Sequence, residues 1–453
     1  MALRHRRPPA LSTDGMLWKP PAQGPRDAAA RRSRLFPEGR TLAFADLHNH
    51  SLLSDGRGDP DEAFAAMRRA GLDVAALTDH AVAGSTRIGA ANLCARLPEP
   101  APGARNSCSA IVGITAAGWQ RTGALADAAD EPGAFVAIRG FEWSHPVLGH
   151  VNVWGSAGWT DPIRDFALGF DGLADDVRRR GRWGGLAAGL IELLPRDAGM
   201  RPLYDWLAGQ APAGGGADGL SGFNHPGREP AHFNTFAYDT RLAERMVSVE
   251  VFNSDHDFLF ASYASRRSSP IVECLNAGWK VGCQGVTDEH GLRSEGAQGA
   301  SRTGLWLTEM SRAGVAEALR ARRFYATLLP GLRLDARAND APMGSTVAHR
   351  RGPVTFAVDL DRGPEWVGAH LDVQVLRPGA DLPIVAHVEP VRLPAPDEPV
   401  PTFTVDLDVA DGDWVLLRIA DPLAPNAWPG PYGHPANNFA VAYASPFWLD
   451  PAR

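Results

Sequence analysis

The chain has 453 residues, 44% of them hydrophobic and 21% charged, the balance of a soluble globular protein, with length for one large domain plus a smaller one. A formal net charge of −7 argues against a nucleic-acid coat, whose signature is a basic face, and no run approaches the ~20 apolar residues of a membrane span. Cys94, Cys108, Cys274 and Cys283 form no CxxC pair, so they read as reduced thiols; with no apolar leader region at the start, a cytoplasmic setting is expected.

Residues 1–40 are expected to be an N-terminal arm. Thr41–Ala45 is short and apolar, a buried strand running into the polar turn of "FADLHNHSLLSDGRG". That turn carries His48, His50 and Asp55. An HxH pair alone decides nothing, since chance supplies about one in a chain of this length. "DPDEAFAAMRRAG" reads as a helix, with Asp59 as cap, Pro60 in the first turn, Phe64 and Met67 on one face and Gly71 at the end. "LDVAALTDH" returns as a strand. Residues 83–133 are too long for a plain connection and form a candidate lid. "AFVAIRGFEWS", "HVNVWG", "GLSGFNHP", "MVSVEVFN" and "WKVGCQGVTDEH" are further strands, with helices expected over 171–183, 198–208 and 262–278. "AGGGADG" at 213–219 reads as a flexible loop. The alternation predicts a parallel α/β fold over 41–333, most simply a barrel. From 334 to 453, proline-rich alternating runs such as "PVTFAVDL", "FTVDLDV" and "DWVLLRIA" predict an all-β, sandwich-like domain.

The chemistry-bearing residues gather at the predicted strand ends: His48, His50 and Asp55, then His80 in "LTDH", Glu142 in "GFEWS", His150 in "GHVNV", His225 in "NHP", and Asp288 with His290 in "VTDEH". In a barrel such ends converge on one face. Six histidines and three carboxylates are too many for one ion; a mixed N/O set of nine suits two or three divalent ions, bridged by carboxylates, of zinc, manganese or iron. A lone histidine such as His232 or His256 is more often a surface or core residue, and His5, His349, His370, His387 and His434 fall outside the barrel. Asp46 and Asp79, each just before a histidine of the set, are expected to orient imidazole rings.

Together, "DLHNHSLLSDG", "ALTDH", "GFEWS…GHVNV", "NHP" and "VTDEH" resemble the motifs of the polymerase-and-histidinol-phosphatase (PHP) superfamily. "FEWSHPVLGHVNVW", "SRTGLWL" and "RRFYATLL…RLDARANDAPMGS" look most like its carbaryl-hydrolase-type (CehA/McbA-like) branch. The resemblance spans roughly residues 42–350, with a weaker echo in "ASPFWL". It implies a distorted (β/α)7 barrel similar to a TIM barrel. It also implies a first ion on His48, His50, Glu142 and Asp288, a second shared by Glu142 with His150 and His225, and a third on Asp55, His80 and His290. "VTDEH" departs from the family in having Thr where many members have Ser before the Asp; the ligands themselves remain.

No GxSxG elbow occurs and no cysteine has a catalytic setting, so a metal-bridging hydroxide is the simplest nucleophile. Arg228 and Arg302 follow ligand strands and suit a substrate anion, or equally a structural carboxylate. Glu250 and Asn253 end another strand on the same face and are candidates to support the ligands from behind. Trp119, Trp143, Trp154 and Trp159 would line an apolar pocket or sit in the core. The sequence therefore reads as a metal-dependent hydrolase of an ester, carbamate or amide bond in a small, partly apolar substrate. A phosphoesterase is the alternative and a non-catalytic binding module is third. No nucleic-acid or membrane partner is expected, and the oligomeric state stays open.

Overall fold

The computed structural model describes residues 31–36, 39–82, 113–145, 147–162, 199–229, 231–260, 268–291 and 301–451. Residues 1–30 of the arm, 83–112 of the candidate lid, the helix expected at 171–183 and the first part of that at 262–278 lie outside these residues. The molecule is mixed α/β. Its first part contains β1 (Thr41–Asp46), β2 (Val74–Leu77), β3 (His80–Val82), β4 (Val136–His145), β5 (Gly149–Trp154), β6 (Leu220–Phe223), β7 (Met246–Asn253), β8 (His256–Asp257), β9 (Gly282–Val286), β10 (Arg302–Leu307) and β11 (Phe324–Thr327). The right-handed α-helices among the described residues are α1 (Pro60–Arg69), α2 (Ala116–Ala129), α3 (Arg201–Ala208), α4 (Pro270–Asn276) and α5 (Arg312–Arg320), and His232–Phe236 forms a short left-handed turn. No helix among the described residues is long and apolar enough to cross a membrane.

Local chemistry explains the helix starts. Asp59 caps α1 by accepting from the Asp61 N–H, Pro60 occupies the first turn, and Phe64 and Met67 are buried. Thr115 caps α2, Ser269 caps α4 and Ser311 caps α5 in the same way. Helix α2 falls inside the candidate lid, yet it is scaffold. Its Trp119 is buried edge-to-face against Phe141 of β4, at 5.7 Å between centroids, and the Arg139 guanidinium lies 4.2 Å over the indole.

Parallel pairs β1–β2, β2–β4, β3–β4, β6–β7 and β7–β9 carry the expected alternation. Two features depart from a closed parallel barrel. The connection from β4 to β5 is too short for a crossover, so β5 runs antiparallel to both β4 and β6. The ring is also not closed by a ladder. Strand β10 pairs along β1 from Thr41 to Ala45, and among the described residues the backbone bridge between the β1 and β9 sides is Asn49↔Glu289, where the His50 N–H donates to the Glu289 carbonyl at 2.9 Å.

Beyond residue 333 the described chain has strands and no α-helix: β12 (Arg333–Ala338), β13 (Ala341–Pro342), β14 (Thr346–Ala348), β15 (Arg351–Asp361), β16 (His370–Arg377), β17 (Ile384–Arg392), β18 (Thr402–Asp408), β19 (Trp414–Pro425), β20 (Asn438–Ala444) and β21 (Phe447–Asp450). Strands β13, β12, β15 and β18 form a four-stranded sheet. Strands β17, β16, β19 and β20 pair in that order, and β20 pairs with β11, so hydrogen bonding is continuous from the first part of the chain into the last. The main hydrophobic core is shared likewise: Trp143, Phe223 and Trp279 pack in one cluster with Trp414, Tyr443 and Trp448. Near the arm, Arg31 pairs with Asp73 at 2.8 Å and Arg34 with Asp359 at 2.9 Å, strapping the start of the fold to the four-stranded sheet.

A buried polar network also crosses this junction. Arg418 is wholly buried and donates to Tyr443 Oη at 2.9 Å, Gln374 Oε1 at 2.8 Å and Asn438 Oδ1 at 2.6 Å. The Tyr443 hydroxyl donates to Asp257 at 3.0 Å, and Arg418 lies 3.8 Å from the same carboxylate. Burial raises the Asp257 pKa and Arg418 opposes that rise. Arg418→Met leaves this carboxylate without its cation. The expected loss is ~3–5 kcal/mol of unfolding free energy, read as a lower urea midpoint at unchanged slope.

Candidate metal centre

Two buried carboxylates shape the loop after β1. Asp46 accepts from the His48 N–H at 3.3 Å, from the Thr287 N–H at 3.2 Å and from the Thr287 hydroxyl, joining the ends of β1 and β9. Asp79 accepts from the Ser51 N–H and hydroxyl, both at 2.8 Å, and from the Ser54 hydroxyl at 2.7 Å. Neither binds an imidazole among the described residues, so both hold backbone and hydroxyls, where ring orientation was expected. Ring orientation falls instead to Glu250, whose Oε1 is 2.7 Å from His48 Nδ1 and whose Oε2 accepts from the His225 N–H at 2.7 Å and from Asn253 Nδ2 at 3.0 Å. Trp154 donates its indole N–H to the Leu47 carbonyl at 2.8 Å. Gly56 is required where the loop folds back, since a Cβ there would lie 2.6 Å from the His50 carbonyl carbon. Gly149, with φ +118°, packs against the Phe233 ring and lets the hairpin turn before His150.

Glu142 is the hub. It lies in register opposite His80 and is fully buried. Its Oε1 is 3.2 Å from His48 Nε2, 3.1 Å from His150 Nδ1 and 3.3 Å from His225 Nε2, and accepts from Asn224 Nδ2 at 2.7 Å. Its Oε2 is 2.6 Å from His80 Nδ1 and 3.6 Å from His50 Nε2. Asp288 Oδ1 lies 3.1 Å from His50 Nε2 and 3.2 Å from His48 Nε2. Asp55 Oδ1 lies 3.4 Å from both His80 Nε2 and His290 Nε2. His225 and Asp288 take positive φ values of 26° and 52°, a conformation rare outside glycine that aims each side chain inward from its strand end.

All nine residues of the expected set are thus within one cluster. Four groups have donor atoms within 4.8 Å of one another: His50, Asp55, His80 and His290; His48, His50 and Glu142; His80, Glu142 and His150; and His150, His225 and Glu229. Glu229 was not anticipated. Its one signal in the sequence is a carboxylate four residues after His225, and its Oε2 lies 3.7 Å from His225 Nδ1. Arg228 stands at the rim, its side chain 35% exposed and 3.3 Å from Asp288 Oδ2. Arg302 is buried, donates to the Ser301 carbonyl at 2.7 Å and feels the charge of Asp46. Trp119, Trp143, Trp154 and Trp159 are all buried in core clusters, so the pocket-lining alternative gives way to packing.

The electrostatics are those of a donor set under tension. Burial opposes charge on His48, yet Asp288, Glu142 and Glu250 hold its pKa well above the ordinary imidazole value. Burial, followed by His290 and His80, pushes His50 down to about 3. Burial opposes charge on His225 and His290 too, but carboxylates win and both rise to about 9, through Glu229 and Glu142 for the first and Asp55 and Asp288 for the second. Divalent ions fit this arrangement. The buried His50 Nδ1, Asp55 Oδ1 and His225 Nδ1 make no hydrogen bond among the described residues, and a mixed imidazole–carboxylate set is the chemistry such ions take.

No family model matches the chain, and no curated protein does. Among solved structures, a two-domain protein from Bacteroides vulgatus containing a PHP-like metal-dependent phosphoesterase, assigned by prediction, is similar at 15% identity and a TM-score of 0.38, over 89% of this chain and 95% of that one. A protein from Bifidobacterium adolescentis, provisionally named a metal-dependent phosphoesterase, is similar at 16% identity and a TM-score of 0.28, over 56% and 90%. An amidohydrolase from Chromobacterium violaceum with bound sulfate and no metal is similar at 15% identity and a TM-score of 0.26, over 55% and 87%. At these values the likenesses fix neither activity nor substrate.

Because His225 and His290 keep their protons up to about pH 9 without ions, metal binding must displace those protons. Affinity therefore falls as the pH drops below 9, by about tenfold per pH unit for each proton displaced. Calorimetric metal titrations at pH 6 to 9, in two buffers of different ionisation enthalpy, should show that fall and the released protons. A pH-independent affinity contradicts it.

Proposed function

We propose that this chain is a metal-dependent hydrolase of the PHP type, cleaving an ester, carbamate or amide bond in a small, partly apolar molecule. The observation that carries the reading is Glu142, a fully buried carboxylate ringed by the imidazoles of His48, His80, His150 and His225, with Asp55 and Asp288 on its flanks. His48, His50, Asp55, His80, Glu142, His150, His225, Asp288 and His290 would hold two or three divalent ions, of zinc, manganese or iron, with Glu142 shared between them and Glu229 as a further donor. Bound there, the ions would polarise the scissile carbonyl and make water reactive near neutral pH. In this reading residues 41–333 bear the site, the setting is cytoplasmic, and the carbaryl-hydrolase-type branch is the closest family resemblance.

The chain's own groups fit this scheme. The Ser144 hydroxyl, 2.7 Å from His80 Nδ1, donates to the Glu142 carbonyl at 2.9 Å, so it fixes the ring and is not poised as a nucleophile. Burial raises the pKa of the thiols of Cys274 and Cys283, which makes them inert. Water is therefore the attacking species. Glu250 and Asn224 keep His48 and Glu142 in place, and Arg228, paired with Asp288, is a cation available to an oxygen that gains charge. Arg228 also supports the second reading, a phosphate ester, whose charge a guanidinium suits.

Metal removal should abolish hydrolysis, and a divalent ion should restore it. His80→Ala or Asp55→Ala should lose one ion and cut kcat/KM by more than ~100-fold, beyond the usual cost of an outer-layer partner. His370→Ala, on β16 and exposed, should be neutral. Active protein with less than one ion per chain sinks the proposal. A tenfold or larger preference for an aryl phosphate over the matched carbamate or ester, ~1.4 kcal/mol of discrimination, reverses the order of the two readings.

A further inference from the structure

Resting on that hydrolase reading, we infer that Trp428, from the last part of the chain, forms the specificity wall of the site and selects substrates with a flat aromatic group. The β7–β8 hairpin leads from the centre to this indole: Asn253 Nδ2 lies 3.3 Å from Asp288 Oδ2, and Asn253 pairs with His256 across the hairpin. Asp288 Oδ2 meets the Arg228 guanidinium at 3.3 Å. Burial, followed by the Arg228 charge, pushes the His256 pKa down to about 4, which favours the neutral ring. Trp428 stacks on that ring at 3.5 Å between centroids and 19° between planes, and Phe258 flanks it at 5.3 Å and 20°. A neutral imidazole stacked with two aromatic rings makes a flat, apolar surface.

The shelf is built to stay in place. Asp257, next to His256, is held by Tyr443 and by the buried Arg418. Asn426 links that carboxylate to the indole's own segment: its Nδ2 lies 3.5 Å from Asp257 Oδ2, and its Oδ1 accepts the Trp428 N–H at 2.9 Å. The same loop is closed on itself by Asn437, which receives the Asn426 and Gly430 N–H groups. Trp428 is only half-buried, unlike the four core tryptophans nearer the centre in sequence. Its indole N–H makes no hydrogen bond among the described residues. A half-exposed aromatic face on a braced loop, stacked on the hairpin that reaches Asp288, is suited to a planar substituent carried next to a polarised or anionic centre.

The test separates the wall from the chemistry. Binding of phenylphosphonate and of methylphosphonate to the metal-loaded protein is measured by calorimetry, for wild type, Trp428→Ala, Trp428→Leu and Trp428→Phe. Wild type should prefer the phenyl compound by about tenfold. The Ala and Leu variants should lose that preference while their methylphosphonate affinity stays within about twofold, and Phe should keep most of it. A preference that survives in both Ala and Leu variants, or is absent from wild type, overturns the inference. Metal content and the urea midpoint confirm that each variant is folded. With turnover, the same variants should raise KM for an aryl ester but not for the matched alkyl ester, at little change in kcat. Protein that shows the phenyl preference and yet hydrolyses no ester, carbamate, amide or phosphate would refute the hydrolase reading and leave the wall standing.

Discussion

Removing a carboxylate from water costs several kcal/mol unless charge or hydrogen bonds replace the solvent, and Glu142 is buried to its last atom. Burial alone would raise its pKa, yet His80, His150 and His48 hold it well below the ordinary value. Each of those imidazoles comes from a different strand or turn. The ends of β1, β3 and β5 must therefore stay in register with the middle of β4, which is what the parallel β3–β4 and antiparallel β4–β5 ladders supply. The local oddities serve the same requirement. The positive φ at His225 and Asp288, the glycine at position 56 and the tie between Asp46 and Thr287 all help gather side chains into the one cluster around it.

Much of this was legible in the sequence because the residues concerned are rare types in polar turns directly after apolar runs. Six histidines and three carboxylates at such junctions have few other reasons to be there, and the structure gathers all nine. Helix α1 was equally readable, since cap, proline and apolar spacing agree in one segment. Strand order was less so. Periodicity shows that "HVNVWG" is a strand, while its direction depends on how few residues precede it. Likewise "SRTGLWL" gives no hint that β10 would take the edge of β1 and keep the ring from closing by a ladder.

Roles that depend on contact rather than residue type were the least visible. Asp46 and Asp79 stand just before histidines in sequence, but nearness along the chain does not bring their carboxylates to the rings: Asp46 accepts from the His48 and Thr287 N–H groups, and Asp79 from Ser51 and Ser54. Glu250, expected to support the ligands from its strand end, does so at His48 Nδ1 from about two hundred positions away. The tryptophans show the converse. Four lie close in sequence to site residues and are core, while Trp428, far later in the chain, stacks on His256 of β8.

That β11–β20 pairing has a consequence for how the chain can be cut or rearranged. A protein ending near residue 333 would present β11 with a bare row of amide and carbonyl groups along the edge now covered by Ala442, Tyr443 and Ala444. An uncovered edge recruits other chains. The first part of the protein therefore depends on the last for solubility as well as for packing, and a gene fusion or natural truncation at that point would favour strand-swapped dimers or aggregates over a free-standing enzyme half.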